Sequence, residues 1–347
     1  MKIQRAELLE ALNAVKPGLA TKSIVQQMEH VLFTGHDLIT YNDQIGVLYP
    51  FETDFKVSVN YADLYKIITK IKVDELELSV KESELLITTE STKAGLVTIA
   101  TDEIGDSLDG LINQLPSDEN KFEWQELPSD FLKGALLCIP AAAQDLSQGV
   151  LACLYVNGTN LICSDNLRVS WYELSEDTNV EFFIRAGTIK ELSSFDIKQF
   201  CVSDSWINFC TDNNVVFSTR LIRGKSMEYF LDLFKEFKGT TVDLPDGLKI
   251  IVESAAVMAE DEAVRDMRIT LQKGEMVCMT HNARGWIEKT IPAKFNRKTP
   301  VDFSVSATFL QQILNLPLTM TVGENKSLFE SGNFKHVLLH RINQELV

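Results

Sequence analysis

The segment Gly224-Lys225-Ser226 has the residue types that end a phosphate-binding loop, so it is the first candidate for nucleotide chemistry. In such a loop, glycines at both ends let backbone N–H groups approach the phosphates while the lysine binds them. Position 219 is Thr where the first glycine is required, and the segment leaves a predicted strand without a Gly-rich turn. We therefore expect no nucleotide site here.

Histidines offer the next chemistry, because imidazole is both a general base and a metal ligand. His336 and His340 are the closest pair in sequence, but they lie on a predicted strand with no Cys or acidic residue nearby. The other histidines, His30, His36 and His281, lie far from that pair in sequence, and no GxSxG, HExxH or GxGxxG motif occurs. We expect no catalytic residue, no metal and no cofactor, which predicts that the protein is not an enzyme.

Composition sets the class of protein. A chain of 347 residues exceeds the size at which one core stops growing, so two or three domains are expected. Its 45% of hydrophobic residues is enough to build those cores. The formal net charge of -16 argues against a protein that binds nucleic acid with its whole surface, although a basic stripe on one face remains compatible.

The cysteines indicate the compartment. All 6 are single, in apolar runs such as ALLCIP and VLACLYV, and no CxxC pair occurs. Buried free thiols are typical of a reducing environment. The amino-terminal segment alternates charged and apolar residues, unlike a signal peptide, and no apolar run is long enough to cross a membrane. We expect a cytoplasmic protein without a membrane partner.

The elements that would carry any site form a threefold repeat with a lag of about 120 residues. Each copy opens with a short strand and an amphipathic helix, beginning near Ile3, Trp124 and Val242. Strand hairpins follow, and in each copy a later strand runs into a second helix. The predicted hairpin turns contain Gly35, Gly158 and Gly274, and the second helices are predicted to begin near Tyr61, Gly187 and Ser306.

This pattern predicts an α+β fold of three repeated domains, each with two helices packed on antiparallel sheet. Prolines followed by Ser129 and Asp246 are predicted to mark the start of the first helices of copies two and three. The domains are predicted over 1–118, 119–239 and 240–347, because periodicity lapses at 116–121 and 237–241.

Three motifs in the repeat carry a resemblance to a known family. Gly149-Val150-Leu151 precedes LICSDNLRV, from Leu161 to Val169, and FSTRLIRGK runs from Phe217 to Lys225, with Tyr229 beyond it. The apolar carboxyl segment HVLLHRI is the third motif. In this order, and over nearly the whole chain, they resemble the bacterial DNA polymerase III beta subunit, the sliding clamp.

Some positions depart from the family pattern. Ser164, Asn166 and Leu167 stand where the family has Thr, Gly and His, and Ser226 and Met227 replace a Phe-Pro pair. The departures indicate a divergent member, of the kind that a phage or mobile element encodes.

The resemblance implies a DNA-clamp fold and a processivity factor. Two subunits would close head to tail into a homodimer ring around double-stranded DNA, with helices lining the hole. The ring would tether the replicative DNA polymerase. A clamp loader and the polymerase would bind through short linear motifs. A ring holds DNA topologically, so a weakly basic lining is sufficient.

The resemblance also assigns residues, for which a core position or a solvated lysine is the alternative reading. The partner-peptide cleft would be formed by Ser164, Leu167, Arg168, Val169, Met227, Leu338 and Leu339. The DNA lining would be formed by Lys22, Lys66, Lys70, Lys133, Gln144, Lys190 and Lys198. The dimer interface would include Leu96, Val257 and Met258.

A second function class remains open. Few basic residues occur on the predicted helices of copy three, where Lys249 stands alone. That deficit favours a clamp-fold interaction protein, or decoy, that binds replication partners without encircling DNA.

Overall fold

The computed structural model describes residues 1–20, 26–99, 123–259 and 266–341, and the predicted repeat is visible in the order of its elements. Within the described ranges, each repeat has one strand, a helix, four strands, a second helix and three more strands. The predicted α+β class is therefore confirmed.

Repeat one contains β1 (Lys2–Gln4), α1 (Arg5–Val15), β2 (His30–Phe33), β3 (Asp37–Tyr41), β4 (Ile45–Pro50), β5 (Val57–Asn60), α2 (Tyr61–Lys70), β6 (Glu75–Lys81), β7 (Glu84–Thr88) and β8 (Lys93–Ile99). Single 3-10 turns cover Lys16–Gly18 and Gln26–Glu29. Helix α2 begins at the predicted residue because the Asn60 side chain accepts a hydrogen bond from the Asp63 N–H at 3.2 Å.

Repeat two contains β9 (Gln125–Glu126), α3 (Phe131–Cys138), β10 (Cys153–Asn157), β11 (Asn160–Ser164), β12 (Arg168–Glu173), β13 (Glu181–Arg185), α4 (Ala186–Leu192), β14 (Ile197–Val202), β15 (Trp206–Thr211) and β16 (Val216–Arg220). Short 3-10 segments cover Ile139–Ala141 and Leu146–Ala152, and another, Glu228–Leu233, leads towards repeat three.

Repeat three contains β17 (Thr240–Asp243), α5 (Leu248–Ala256), β18 (Asp266–Gln272), β19 (Glu275–Asn282), β20 (Gly285–Pro292), β21 (Val301–Ser306), α6 (Ala307–Ile313), β22 (Thr319–Val322), β23 (Lys326–Ser331) and β24 (Phe334–Leu339). A 3-10 turn, Val257–Ala259, follows α5.

The helix starts of α3 and α5 lie slightly later than predicted. The carbonyl oxygen of Pro128 accepts from Phe131 N at 2.9 Å, and that of Pro245 accepts from Leu248 N at 3.2 Å. Each proline is therefore the first residue of a turn that leads into the helix.

Sheets continue from one repeat into the next. One sheet of 12 strands runs β1-β6-β7-β8-β5-β2-β3-β4-β16-β15-β14-β9, and a second of 8 strands runs β13-β10-β11-β12-β24-β23-β22-β17. The third has 4 strands in the order β20-β19-β18-β21. The pairs β4–β16 and β12–β24 thus join consecutive repeats.

Two compact units result, one of residues 1–127 and 190–221 and the other of 128–189 and 222–347. Repeat two is divided between them. The predicted domain limits near 118 and 239 describe the repeats and stay a prediction; the first of them lies outside the described residues.

The 6 cysteines are buried and free, as expected from their apolar surroundings. No helix in the described ranges is long and apolar enough to span a membrane.

Candidate functional site

The seam between β12 and β24 brings together two of the motifs that lie far apart in sequence. Val169 stands opposite Val337 and Arg168 stands opposite Leu338, in an antiparallel register. Directly opposed side chains share one face of a sheet and successive ones alternate. The two valines therefore lie on one face of the seam, and Arg168 and Leu338 lie on the other.

The face that carries the valines, called here the outer face, is covered by the segment that links repeats two and three. Met227 and two phenylalanines of that segment pack on this face of β10, β11, β12 and β24. The buried members of the cluster are Cys153, Tyr155, Ile162, Val169, Phe183, Met227, Phe230, Phe234, Leu328 and Val337. Partly buried apolar side chains border it: Val150, Leu151, Trp171, Ile222, Leu231, Leu233 and Phe237. This apolar cluster, called the groove from here on, is the candidate cleft.

Two predicted cleft residues supply accessible apolar surface. Leu167 has 39% of its surface exposed at the turn before β12. Leu339 is partly buried, and its N–H donates to the Leu167 carbonyl at 3.0 Å. They form the rim of the seam. Val169 and Met227 lie beneath the rim as buried members of the cluster, with Met227 only 1% exposed.

The predicted roles of Leu338 and Arg168 need correction. Both lie on the face opposite Val337, so Leu338 is not a wall of the outer-face groove. The Arg168 Nε donates to Asp165 Oδ2 at 3.0 Å, a second nitrogen donates to Gln312, and the guanidinium carbon lies 3.7 Å from the Phe309 ring centroid. Arg168 thus fixes the turn and α6 instead of binding a peptide directly.

Ser164 is also bonded within the chain. Its hydroxyl donates to the Arg168 carbonyl at 2.9 Å and accepts from Asn166 N at 3.1 Å, and the side chain is fully buried. Asn166 has a positive φ, which asparagine tolerates better than most residues. Ser164 therefore shapes the turn that presents Leu167.

Sequence reasoning missed several groove residues. Val150 and Leu151 belong to the Gly149-Val150-Leu151 motif, and their apolar character beside Gly149 was the available signal. Trp171 could not be placed from sequence, because its face depends on the pairing of β12. Its ring packs against that of Phe234 in a tilted arrangement, with the centroids 5.3 Å apart.

The histidines on and after β24 each contact a serine of the same sheet. His336 is buried, its Nδ1 lies 2.8 Å from Ser170 Oγ, and burial and the Arg168 charge lower its pKa to about 3. His340 instead lies with Nε2 2.8 Å from Ser327 Oγ. No group of His, Cys, Asp and Glu suited to a metal occurs in the described part of the chain.

The predicted DNA-lining residues are mostly exposed on helices. Lys66 and Lys70 lie on α2, Lys133 lies on α3 and Lys190 lies on α4; all are exposed. Gln144 is exposed in the loop after α3. Lys22 falls outside the described residues.

Lys198 has a different setting from the helix lysines. It lies on strand β14, where its Nζ forms a 2.6 Å hydrogen bond with Asp196 that raises the pKa of the lysine. Its charge is therefore already partly neutralised within the chain.

The predicted interface residues lie on or near two strands, β8 and β20. On β8, Leu96 faces the same side as its buried partner Leu85, whereas Val97 is 74% exposed. Near β20, Val257 is exposed and Met258 approaches Gly285, and Asn282 Nδ2 donates to the Met258 carbonyl at 2.7 Å.

Trp286, on β20, was not singled out from the sequence although 67% of its surface is exposed. Its position on an edge strand was the missing information, since β20 pairs only with β19 among the described strands.

The architecture of these sheets and helices is that of the DNA sliding clamps. No protein-family model matches the chain, and no curated protein matches it. Solved structures do: the DNA polymerase III subunit beta sliding clamp of Bartonella birtlesii, bound to griselimycin, aligns with a TM-score of 0.86 at 18% identity, over 99% of both chains.

Two further clamps align over similar lengths. The DNA polymerase sliding clamp of Bacillus subtilis gives a TM-score of 0.83 at 15% identity, over 99% of this chain and 98% of its own. The DNA polymerase III subunit beta of Pseudomonas aeruginosa gives 0.82 at 16% identity, over 98% and 99%. The chain therefore has the sliding-clamp fold along its whole length, and the expected resemblance is confirmed at the level of the fold.

Proposed function

We propose that this protein is a DNA sliding clamp, a non-catalytic processivity factor that encircles duplex DNA and tethers the replicative polymerase. The observation that carries the proposal is the sliding-clamp fold over 98–99% of the chain, together with an apolar groove on the β12–β24 seam. A clamp loader would place it on DNA in the cytoplasm.

The apolar floor of the groove supports partner binding. Val169, Val337 and Met227 belong to one buried cluster, and Leu167 and Leu339 border it. A short flexible segment gains most from burying a few apolar anchors in such a pocket, since ordering the rest of its length opposes binding.

Repetition of the strand pairing supports ring closure. The fourth strand of repeat one, β4, pairs with the last strand of repeat two, β16. In the same way, the fourth strand of repeat two, β12, pairs with the last strand of repeat three, β24. The corresponding pair at the next boundary would be β20, the fourth strand of repeat three, and β8, the last strand of repeat one in a second copy of the chain. β20 is the edge of its sheet, whereas β8 pairs with β7 on one side and with β5 only at Thr98 and Ile99, so 93–97 have no described partner on the other side. Both strands carry exposed apolar residues, Trp286 and Val97, and an unpaired strand edge readily adds a strand from another chain. A head-to-tail contact of this kind closes when the rotation is right.

Exposed lysines on α2, α3 and α4 support a weakly basic lining. Lys66, Lys70, Lys133 and Lys190 belong to helices, the elements that the proposal places around DNA. Few neutralised phosphates mean weak, salt-sensitive binding to linear duplex, while topology would supply retention on a circle.

One observation favours the alternative, a clamp-fold decoy that binds replication partners without DNA. In repeat three, Lys249 is the one basic residue on α5, and α6 carries none. The Nζ of Lys249 donates to Asn315 at 2.6 Å and lies 3.7 Å from Glu253. The repeat therefore has little free positive charge on its helices.

Solution mass combined with DNA retention separates the two. We expect a dimer mass, and retention after loading on a nicked circular duplex that is lost when the circle is linearised. A monomer that competes for polymerase peptides but never stays on circles would establish the decoy instead. Tight, salt-resistant binding to linear duplex would exclude the topological mechanism.

A further inference from the structure

We propose that Tyr41, Trp206 and Arg220 form a roof that closes the β4–β16 seam to partner segments, so that each subunit has one peptide site although its fold contains two equivalent seams. The inference rests on the proposed function, because it concerns which seam takes a partner. It assigns to these three side chains the selection between the two seams.

The β4–β16 and β12–β24 seams have the same backbone construction. In the first, the N–H of Arg220 donates to the Gln44 carbonyl at 2.9 Å, and in the second, the N–H of Leu339 donates to the Leu167 carbonyl at 3.0 Å. Each acceptor follows a turn residue with a positive φ, 69° before Gln44 and 68° before Leu167. Gln44 and Arg220 therefore occupy the places that the two leucines have at the rim of the groove.

The floors of the two seams differ in side chains. Two residues inward from the rim, Gly46 stands opposite Ser218 in the first seam, where Val169 stands opposite Val337 in the second. Gly46 is buried, and Ser218 is only 1% exposed. Residues this small cannot cover each other, so larger side chains lie over them.

Two aromatic rings stand on the same face as this floor. Tyr41 pairs directly with Gly46, and directly opposed side chains share a face. Trp206 pairs with Arg220, which lies two residues beyond Ser218 on β16, so the indole stands on that face too. The face of the floor is therefore flanked by one ring on each side of the seam.

The rings reach toward each other across the seam. Tyr41 lies on β3 and Trp206 on β15, and β4 and β16 separate these two strands in the sheet. Because neighbouring strands are about 4.8 Å apart, the backbones of β3 and β15 are about 14 Å apart. The ring centroids of Tyr41 and Trp206 are nevertheless only 5.9 Å apart. The two side chains thus bridge the strands of the seam, where the glycine and the serine leave room for them.

Arg220 holds the roof together. Its guanidinium carbon lies 5.0 Å from the centroid of the Trp206 ring, its Nη2 donates to the Tyr41 hydroxyl at 3.3 Å, and its Nε donates to the Asp43 carbonyl at 2.8 Å. A guanidinium over an indole face is attractive. Trp206 is only 2% exposed, so an apolar anchor of a partner would have to displace it.

The β12–β24 seam has no aromatic residue at the two corresponding positions. Ser164 and Lys326 stand there, and both bond to backbone carbonyls, Ser164 to Arg168 at 2.9 Å and Lys326 to Leu233 at 3.3 Å. Leu167, at the rim of this seam, keeps 39% of its surface exposed. The difference in accessibility between the seams therefore follows from a few side chains on a common backbone.

Peptide stoichiometry tests the roof in the full-length protein. A Leu/Phe-rich peptide should bind the wild type at one per subunit in titration calorimetry. Trp206→Ala removes the larger ring, whereas Tyr41→Ser/Arg220→Leu keeps the indole and installs the residues of the other seam. Each variant should gain a second site per subunit, about ten- to hundredfold weaker than the first, because glycine and serine form its floor.

A blocked cleft isolates the new site. Both roof variants are measured again with Leu167→Asp, and further addition of Gln44→Asp, at the corresponding rim position, should abolish the remaining binding. Phe33→Ala is the matched control, because Phe33 is fully buried in the same compact unit but lies on the opposite face of the sheet from the roof. It should create no site. Near-UV circular dichroism verifies that each variant is folded.

The outcomes separate the roof from the cleft. A second site that is missing from both folded roof variants, or already present in the wild type, would overturn the inference and leave the cleft intact. A site that Phe33→Ala also creates would overturn it too, since general loosening would then be sufficient. Failure of the wild type to bind any peptide would instead remove the cleft, the proposed function and the inference that rests on it.

Discussion

The guanidinium carbon of Arg168 lies 3.7 Å from the centroid of the Phe309 ring, which joins the turn before β12 to helix α6. The same side chain bonds to Asp165 and Gln312 and is only 3% exposed. We expect Arg168→Met to lower the free energy of unfolding by about 3 kcal/mol, because it leaves the Asp165 carboxylate without its buried partner. Urea unfolding measures the change.

Arg223→Met is the control for that prediction, because Arg223 is exposed, and it should shift stability by less than about 0.5 kcal/mol. Equal stability of both variants would show that the Arg168 contacts do not hold α6 to the turn.

His336 makes stability depend on pH. Burial, with a contribution from Arg168, lowers its folded pKa from 6.5 to about 3. The unfolded chain takes up a proton as pH falls through about 6.5, but the folded chain does not until about 3. Above about pH 6.5 the ring is neutral in both states and the stability is at its full value. Between about pH 6.5 and pH 3 the free energy of unfolding falls by up to about 1.4 kcal/mol per pH unit, because only the unfolded chain gains the proton.

His336→Gln tests this through unfolding at several pH values. This variant should flatten the dependence of the free energy of unfolding on pH between pH 6 and pH 4, roughly the window between the folded and unfolded pKa values of His336. His281→Gln, at an exposed position, should keep the wild-type slope. An unchanged slope in His336→Gln would assign the acid sensitivity to other groups.

The rim of the groove is best tested at Leu167. Leu167→Asp should weaken binding of a Leu/Phe-rich peptide at least tenfold, roughly the 1–2 kcal/mol expected for loss of an interface anchor. The mass of the assembly should not change. Val202→Asp is the control, since Val202 has the same 39% exposure but lies on β14, in the other compact unit. Equal losses of peptide affinity in Leu167→Asp and Val202→Asp, measured by titration calorimetry, would show that the site lies elsewhere.

Met227→Glu is a poorer test of the same groove. Met227 is buried in the outer-face cluster, so a charge there would lower stability before it reported on peptide binding.

Ring closure can be tested on β8 and β20. Val97→Asp combined with Trp286→Asp should convert the dimer to a monomer, because both strands would carry buried charge after pairing between subunits. The pair Leu96→Asp and Met258→Asp should also reduce the mass, but Leu96 faces buried Leu85, so folding would suffer too. A dimer mass for the Val97/Trp286 variant in ultracentrifugation would exclude this interface.

The helix lysines have a prediction of their own. Lys66→Glu with Lys70→Glu should weaken duplex binding and reduce the steepness of its salt dependence, since fewer counterions are released. Lys81→Glu, exposed at the end of β6, should change the salt dependence little. Identical salt slopes for all three proteins, measured by fluorescence anisotropy, would remove α2 from the DNA lining.

Sequence patterns predicted the local elements well because local physics determines them. Gly35, Gly158 and Gly274 have positive φ at the three predicted hairpin turns, and α2 begins at its Asn60 cap. The repeat then implied the order of strands.

Facing and burial could not be predicted with the same success. A shift of one residue in β24 would exchange Val337 and Leu338 between faces, so the wall of the groove depends on a register set by distant strands. Met227 was predicted as an accessible wall, yet neighbouring phenylalanines of its own segment help to bury it. The exposure of Trp286 likewise depends on which strand ends a sheet.

The sheets that continue across the repeat boundaries determine which parts of the chain should unfold together. Amides of β14, β15 and β16 hydrogen bond in the same sheet as repeat one, whereas those of β10, β11 and β12 share a sheet with repeat three. Hydrogen exchange should therefore group the two halves of repeat two with different neighbours. A fragment cut at the repeat limits would leave β4 or β24 without its partner, so we expect single repeats not to fold on their own.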